Sequence, residues 1–194
     1  MKTVSDVDTL QIAAWVELGV CWIAWTLAFV KPGKQAAGAK KTERAPVSRW
    51  GIVLVMLGYA FIWAFVHPVG FEKSAASLIV SMILGPPSVL LVWTAARHLD
   101  KQWRFEAALS EDHKLITTGP YRWLRNPIYA SMLGMLLATG CAKTWWPMMV
   151  TGVVFFVIGT EIRVRAEEKL LATRFGEEFA RYKATTPAYF PFIR

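Results

Sequence analysis

Two blocks of polar residues in this hydrophobic chain have the side-chain types and spacing that chemistry requires. The first, residues 113–129, combines an imidazole, arginines, tyrosines and an Asn-Pro pair. The second, residues 161–168, reads Glu-Ile-Arg-Val-Arg-Ala-Glu-Glu. A chain that is 55% hydrophobic has little reason to gather charged groups unless they contact something polar. In a lipid environment both blocks are therefore hypotheses for a functional site.

The second block predicts one shared helix face. Arg163 and Glu167 are four residues apart, so both side chains lie on the same face, whereas Glu168 points about 100° away. Alone, this spacing is equally typical of an ion pair within the helix, which contributes only about 0.3 kcal/mol. The first block is expected to lie at the same membrane face as the second. This proximity favours a binding site for a polar ligand over a simple ion pair.

The first block contains a signal for the start of a helix. Asn126 suits the N-cap and Pro127 suits the first helical position. The free N–H groups of such a helix attract a carboxylate or a phosphate. Simple capping is the alternative interpretation of the same two residues.

The elements that must position these blocks are apolar helices. The predicted fold class is all-α: a polytopic membrane protein with five transmembrane helices, whose last two form a hairpin, and a cytoplasmic amphipathic helix over residues 171–182. We interpret the first apolar stretch as a retained span and not as a signal peptide. The five predicted spans are residues 10–30, 50–66, 75–96, 127–142 and 145–160.

Charge predicts the orientation. All but three of the 22 Lys and Arg residues lie in segments 31–49, 97–126 and 163–194, which five spans place on one side. The positive-inside rule makes that side cytoplasmic and leaves the N-terminus outside. This face suits anionic headgroups, so the net charge of +8 needs no nucleic acid to explain it.

The chain is predicted to form a single domain, residues 1–194. Residues 1–96 supply three spans as a scaffold, and residues 97–194 hold nearly all the polar information. Neither Cys21 nor Cys141 has metal-ligand spacing, so we expect no metal and no disulfide framework.

In order along the chain, these motifs resemble the isoprenylcysteine carboxyl methyltransferase family of integral membrane enzymes. The family pattern is His-x-Leu-(Val/Ile)-Thr-x-Gly-Pro-Tyr, then Arg-His-Pro-x-Tyr, then Arg-x-x-x-Glu-Glu, then Phe-Gly-x-x-(Phe/Tyr)-x-x-Tyr. The corresponding segments here are residues 113–121, 125–129, 163–168 and 175–182. The match extends over residues 106–190 and departs at Asn126, where the family usually has His. An amide donates and accepts hydrogen bonds but cannot become cationic.

The resemblance implies S-adenosylmethionine as the cofactor. It also implies catalytic roles for Arg163, which would face the acceptor carboxylate, and for Glu167, which would bind the ammonium of the cofactor. His113 and residues 114–116 would line its adenosine end, and the start of the fourth helix would hold its carboxylate. The implied cofactor-binding residues are Glu106, His113, Lys114, Leu115, Ile116, Tyr121, Asn126, Pro127, Ile128, Tyr129, Glu167 and Glu168.

Physical chemistry agrees with such a reaction. Methyl transfer from a sulfonium to a carboxylate joins opposite charges, which a water-poor site favours. The carboxylate is ionised at neutral pH, so no general base is needed. The protein must mainly align donor and acceptor. The resemblance thus implies transfer to a lipid-borne carboxylate, the α-carboxyl of an isoprenylated cysteine, and we expect the site at the cytoplasmic face of a cell membrane or endomembrane.

Three other interpretations stay open at this point. A phospholipid N-methyltransferase would need a base to deprotonate its amine, and Glu167 or Glu168 could serve. A membrane sterol reductase using NADPH shares C-terminal features with the family. A non-enzymatic scaffold for anionic lipid would explain the charge but not the placement of His113, Tyr121, Asn126 and Tyr129.

Overall fold

The computed structural model describes residues 4–30, 43–44, 47–64, 73–99, 108–109 and 115–189. Within these ranges the protein is all-helical apart from one two-residue strand pair, in which β1 (Glu43–Arg44) lies antiparallel to β2 (Ala108–Leu109). A short 3-10 turn covers Gly119–Arg122. The helices are α1 (Val4–Leu27), α2 (Ser48–Ala64), α3 (Ala75–Leu99), α4 (Pro127–Lys143) and α5 (Trp146–Thr185).

Three of these helices, α1, α3 and α5, are long and apolar enough to cross a membrane. Helices α2 and α4 have 17 residues each, or about 25 Å at 1.5 Å per residue, slightly less than a hydrocarbon core of about 30 Å. Large apolar side chains on α1, such as Ile12 and Val16, are more than half exposed, as lipid contact requires. The chain is a membrane protein with five helices among the residues that the structure describes, and five complete spans remain a prediction.

Glycines bring α2 and α5 into backbone contact. A Cβ on Gly58 would lie 2.6 Å from the carbonyl oxygen of Gly152, and a Cβ on Gly51 would lie 2.6 Å from that of Gly159. Each helix thus presents two glycines seven residues apart on one face. Small residues let membrane helices approach closely, because lipid supplies little hydrophobic force to join them. This pair holds the second polar block against the start of α2.

Polar side chains join α3 to α4 within the bundle. Ser81 donates to the carbonyl of Ala138 at 2.7 Å, and Ser131 donates to the carbonyl of Ser88 at 2.9 Å. Helix α1 packs on the same unit, where the indole of Trp25 donates to Ser131 Oγ at 2.7 Å. These bonds hold α4 in place, and its first turn contains the last residues of the first polar block.

Helix α5 is longer than a membrane is thick. Before the interruption at Gly176, residues 146–175 extend about 45 Å at 1.5 Å per residue, and the exposed large apolar residues of α5 end at Ile158. The part beyond residue 160 therefore projects out of the apolar region. Gly176 interrupts this part with φ +50°, a left-handed conformation that glycine adopts readily. We call residues 161–175 the outer arm and residues 177–185 the return arm.

Two sequence predictions are confirmed: α4 begins at Pro127, and α4 and α5 form a hairpin. The link of this hairpin consists of Thr144 and Trp145, and α5 ends at Thr185, directly before Thr186 and Pro187. The predicted amphipathic helix corresponds to the end of the outer arm plus the return arm. Whether it contacts the membrane stays a prediction.

Candidate active site

Three side chains from α4 and α5 meet where the two polar blocks come together. The hydroxyl of Tyr129 donates to Glu167 Oε1 at 2.6 Å and accepts from Arg163 Nε at 2.7 Å. Arg163 Nη2 lies 3.5 Å from Glu167 Oε1, which confirms the predicted shared face. The Arg163 guanidinium also lies 5.7 Å from the centre of the Tyr129 ring. The phenol therefore bridges a cation and an anion and sets the orientation of both.

Burial differs sharply within this group. The Arg163 side chain is 8% exposed and the Glu167 side chain is 29% exposed. Burying a guanidinium is unfavourable unless it is paired and hydrogen-bonded, and Tyr129 and Glu167 supply that pairing. The Glu167 carboxylate is partly exposed and can contact a ligand, whereas the Arg163 guanidinium is more deeply buried.

Helix α2 determines where Arg163 can lie. A Cβ on Gly51 would lie only 2.5 Å from Arg163 Cγ, so the stem of the arginine occupies space that any larger residue would fill. The hydroxyls of Ser48 and Thr160 are also buried nearby, and neither has a hydrogen-bond partner among the described residues. The close glycine packing of α2 on α5 is therefore what admits a buried arginine here.

Glu168 belongs to a different cluster. Its Oε1 accepts from Arg125 Nη2 at 2.9 Å, and its Oε2 accepts from Lys183 Nζ at 2.6 Å. The side chains of Arg125 and Glu168 are 4% and 8% exposed. The resemblance had assigned Glu168 to cofactor binding. In the structure its carboxylate ties the loop before α4 to both arms of α5, and its direct contact with a cofactor stays a prediction.

The C-terminal segment completes this connection. The backbone N–H of Arg125 donates to the carbonyl of Pro187 at 2.9 Å, and that of Asn126 donates to Ala188 at 3.0 Å. Arg125 Nη1 donates to the carbonyls of Lys183 and Thr186. The start of α4 is thus fixed by a segment more than 55 residues away in sequence.

Asn126 occupies the N-cap position, but its side chain does not cap the helix. Its Nδ2 donates to the carbonyl of Ala188 at 3.2 Å. A histidine N–H could make the same type of bond, which offers a physical reason why either residue type suits this position. Direct contact of Asn126 with a cofactor stays a prediction.

Tyr121 lies beside the site, in the 3-10 turn. It is buried, and Tyr182 of the return arm donates to its carbonyl oxygen at 2.6 Å. Burial, with smaller effects from Tyr182 and Glu167, raises the pKa of the Tyr121 phenol above its ordinary value, so the phenol stays protonated and keeps a proton to donate. Gly119 starts the turn with φ +60°, and a Cβ there would overlap the His98 ring.

The structure places the remaining predicted residues as follows. Leu115 and Ile116 are half-buried in the segment before the turn, while Pro127 and Ile128 form the first turn of α4. Glu106, His113 and Lys114 lie outside the described residues, so their roles stay predictions. Within the described ranges, no group of three or more His, Cys, Asp or Glu side chains is arranged to hold a metal ion.

The residues present fit a ligand that carries both an ammonium and a carboxylate, as S-adenosylmethionine does. Glu167 offers a partly exposed anion. The first hydrogen bond within α4 runs from the Ala130 N–H to the Asn126 carbonyl at 3.1 Å, so the N–H groups of Ile128 and Tyr129 precede it and face the helix end. Such groups favour a carboxylate.

Sequence reasoning missed the residues that fasten the site. The sequence indicates Arg125 only as part of a motif and Lys183 only as part of the basic tail. The position of Arg125, directly before the Asn-Pro pair, is a signal that it lies close to the start of α4. The 15-residue separation of Lys183 from Glu168 carried no signal, because a turn at Gly176 creates that proximity.

Comparison with known proteins gives a family. The family model described as phospholipid methyltransferase matches residues 75–178, which is more than half of the chain. The chain therefore belongs to the phospholipid methyltransferase family, and its resemblance to isoprenylcysteine methyltransferases is confirmed. The family consists of membrane methyltransferases, which use S-adenosylmethionine in general.

Individual relatives match over shorter stretches. The mouse protein-S-isoprenylcysteine O-methyltransferase is 32% identical over 88 residues, 44% of this chain and 30% of that protein. The cobalt-zinc-cadmium resistance protein CzcN of Cupriavidus metallidurans is 32% identical over 81 residues, 42% of this chain and 37% of its own length. The Bacillus subtilis protein YpbQ is 22% identical over 161 residues, 77% of this chain and 95% of YpbQ. The chain thus spans about a third of the length of the first two relatives.

Proposed function

We propose that this member of the phospholipid methyltransferase family transfers a methyl group from S-adenosylmethionine to the carboxylate of a lipid-borne acceptor, the α-carboxyl of an isoprenylated cysteine. The observation that carries the proposal is the buried Arg163 guanidinium, oriented by Tyr129 and Glu167 at the end of the apolar bundle. A buried cation beside a partly exposed carboxylate suits a site that takes an anionic acceptor next to a cationic cofactor.

Arg163 would position the acceptor carboxylate. An arginine offers several N–H donors in a planar fork. Tyr129 accepts from its Nε–H, and Glu167 Oε1 lies 3.5 Å from its Nη2, so these two partners fix the plane in which the guanidinium would bind a carboxylate. Positioning is the useful role, since too strong an ion pair would weaken the carboxylate as a nucleophile. Alignment of reacting groups supplies several kcal/mol of a barrier.

Glu167 and the first turn of α4 would hold the cofactor. Glu167 would bind its ammonium, and the N–H groups of Ile128 and Tyr129 its carboxylate. When bound, S-adenosylmethionine supplies a methyl group made electrophilic by a sulfonium. The Tyr121 phenol, which stays protonated, would add a hydrogen-bond donor beside the same site.

The position at the end of the bundle suits two molecules of different solubility. We propose that the site lies on the cytoplasmic side, where a water-soluble cofactor enters from solution. An isoprenyl tail would stay among the apolar helices while its carboxylate reaches Arg163. The protein would thus bring donor and acceptor together without extracting the lipid.

The division of roles is tested by calorimetric titration of the detergent-purified protein with S-adenosylhomocysteine. Glu167→Gln should weaken binding about tenfold or more, because a charged hydrogen bond contributes about 1.5–3 kcal/mol. Arg163→Gln should keep binding within about threefold while methyl transfer to a farnesylated cysteine analogue falls at least tenfold, on the same estimate for one charged hydrogen bond. Glu161→Gln is the matched control, since Glu161 pairs with Arg165 outside the three-residue group.

Equal, mild effects of the two site variants would contradict this division. No binding of S-adenosylhomocysteine by folded wild-type protein would remove the enzymatic proposal altogether and leave the scaffold interpretation.

A second candidate is methylation of a phospholipid amine, which the partly exposed carboxylate of Glu167 favours as a base. An amine acceptor must lose a proton before attack. The buried Arg163 opposes an ammonium substrate, since like charges repel in a site of low dielectric. Transfer to phosphatidylethanolamine in vesicles without any carboxylate acceptor would support this candidate over the first.

A further inference from the structure

A cleft lies on the outer arm, on the helix face opposite Arg163 and Glu167. Its volume is about 390 Å³. The cleft opens between the two arms of α5 at the Gly176 turn. Its lining residues are Arg165, Glu168, Lys169, Ala172, Gly176, Phe179, Ala180 and Lys183. None of its basic residues takes part in the proposed methyl transfer.

Charge in this cleft is predominantly positive. Arg165 and Lys169 come from the outer arm, and Lys183 comes from the return arm. The single carboxylate, Glu168, already accepts from Lys183 at 2.6 Å and from Arg125 at 2.9 Å. Glu161 in turn accepts from Arg165 at 2.7 Å. Within the described ranges, the basic side chains here (Arg125, Arg165, Lys169 and Lys183) therefore face only these two carboxylates, and the surface toward solvent keeps a net positive charge.

The walls combine this charge with apolar surface. Phe179 is 3% exposed and, with Ala172 and Ala180, forms the apolar side of the cleft. The Lys169 side chain is exposed on the outer arm, and nothing lies within 4 Å of a Cβ built at Gly176. A small anionic group can therefore reach the basic side chains of both arms without displacing the backbone.

We propose that this cleft binds a ligand carrying a phosphate group, which bridges the outer arm and the return arm on either side of Gly176. Several lysine and arginine donors converging on one point are the usual chemistry of phosphate recognition. The phosphate can come from the headgroup of an anionic phospholipid or from a soluble phosphate compound. Bound there, it links the arms in addition to the Lys183–Glu168 pair and stabilises the C-terminal segment against the start of α4.

The test is thermal unfolding of the full chain in a zwitterionic detergent. The probes are inorganic phosphate and a short-chain phosphatidic acid, each compared with sodium chloride at equal ionic strength. At least one probe should raise the unfolding midpoint, since a ligand that binds the folded state stabilises it. A shift with phosphatidic acid alone identifies a headgroup, and a shift with inorganic phosphate identifies a soluble source.

Lys169→Gln and Arg181→Gln form a matched pair of variants. Both residues are exposed on α5, but Lys169 lines the cleft and Arg181 does not. Lys169→Gln should weaken the affinity for the active probe about tenfold, the usual effect of one charged hydrogen bond, and Arg181→Gln should leave it unchanged. The proposal is overturned if neither probe exceeds the salt control, or if Lys169→Gln loses no more affinity than Arg181→Gln.

Discussion

Replacing Tyr129 with Phe removes one oxygen atom that serves two charged partners. That hydroxyl accepts from Arg163 Nε at 2.7 Å and donates to Glu167 Oε1 at 2.6 Å. The ring stays in place, so its contact with the guanidinium at 5.7 Å is kept. The variant therefore isolates the bridge from the packing.

The structure indicates how large the effect should be. The Glu167 side chain is 29% exposed, so water replaces the lost hydroxyl there at little cost. The Arg163 side chain is 8% exposed, so its Nε–H loses a partner in a buried place. A hydrogen bond to a charged group contributes about 1.5–3 kcal/mol, and about 2 kcal/mol corresponds to a roughly 30-fold change in rate.

The assay is kcat/KM for methyl transfer to a farnesylated cysteine analogue. Tyr129→Phe should lower it about 30-fold through kcat, because the guanidinium loses its fixed orientation, while S-adenosylhomocysteine affinity changes less. Tyr189→Phe is the matched control, because its hydroxyl donates to Glu161 at 3.3 Å. A Tyr129→Phe enzyme within twofold of wild type would refute the idea that the phenol orients the arginine.

Two further predictions follow from the packing around the site. Gly51→Ala should destabilise the protein by about 1–3 kcal/mol and lower turnover, because its Cβ would lie 2.5 Å from Arg163 Cγ. Gly19→Ala, which has open space, should do neither in thermal unfolding and transfer assays. Asn126→Asp should weaken S-adenosylhomocysteine binding in calorimetry about tenfold, because it places a carboxylate against the Ala188 carbonyl. Asn126→His keeps an N–H donor and should bind within about threefold of wild type, and equal losses in both would contradict the argument.

Local signals in the sequence predicted local structure well. The Asn126-Pro127 pair located the start of α4, and the four-residue spacing of Arg163 and Glu167 placed both on one face. Helix geometry alone determines such neighbours, so one sequence is enough. The apolar stretches likewise located five helices, because burial in lipid demands continuous hydrophobic runs.

Most side-chain and backbone contacts between distant segments leave no comparable signal in the sequence. Spacing could not reveal that Tyr129 bridges Arg163 and Glu167, because it lies on another helix. Nor could it show that Glu168 is held by Arg125 and Lys183, since this depends on the turn at Gly176. The backbone pairing of residues 125–126 with 187–188 involves peptide groups that every residue possesses.

One overlooked pattern was readable. Gly51 and Gly58 are seven apart, as are Gly152 and Gly159, and small residues at such spacing are typical of close helix pairs in membranes. Recognising it would have paired α2 with α5 and brought the start of α2 to Arg163.

The most direct test of the account is the chemical form of the transferred methyl group. Purified protein is incubated with S-adenosylmethionine labelled in its methyl group, in vesicles containing both a farnesylated cysteine analogue and phosphatidylethanolamine. A carboxylate acceptor gives a methyl ester, so we expect label on the cysteine analogue that mild base releases as methanol. Label that resists base and resides on the phospholipid would contradict the account and assign the Arg163 site to amine methylation.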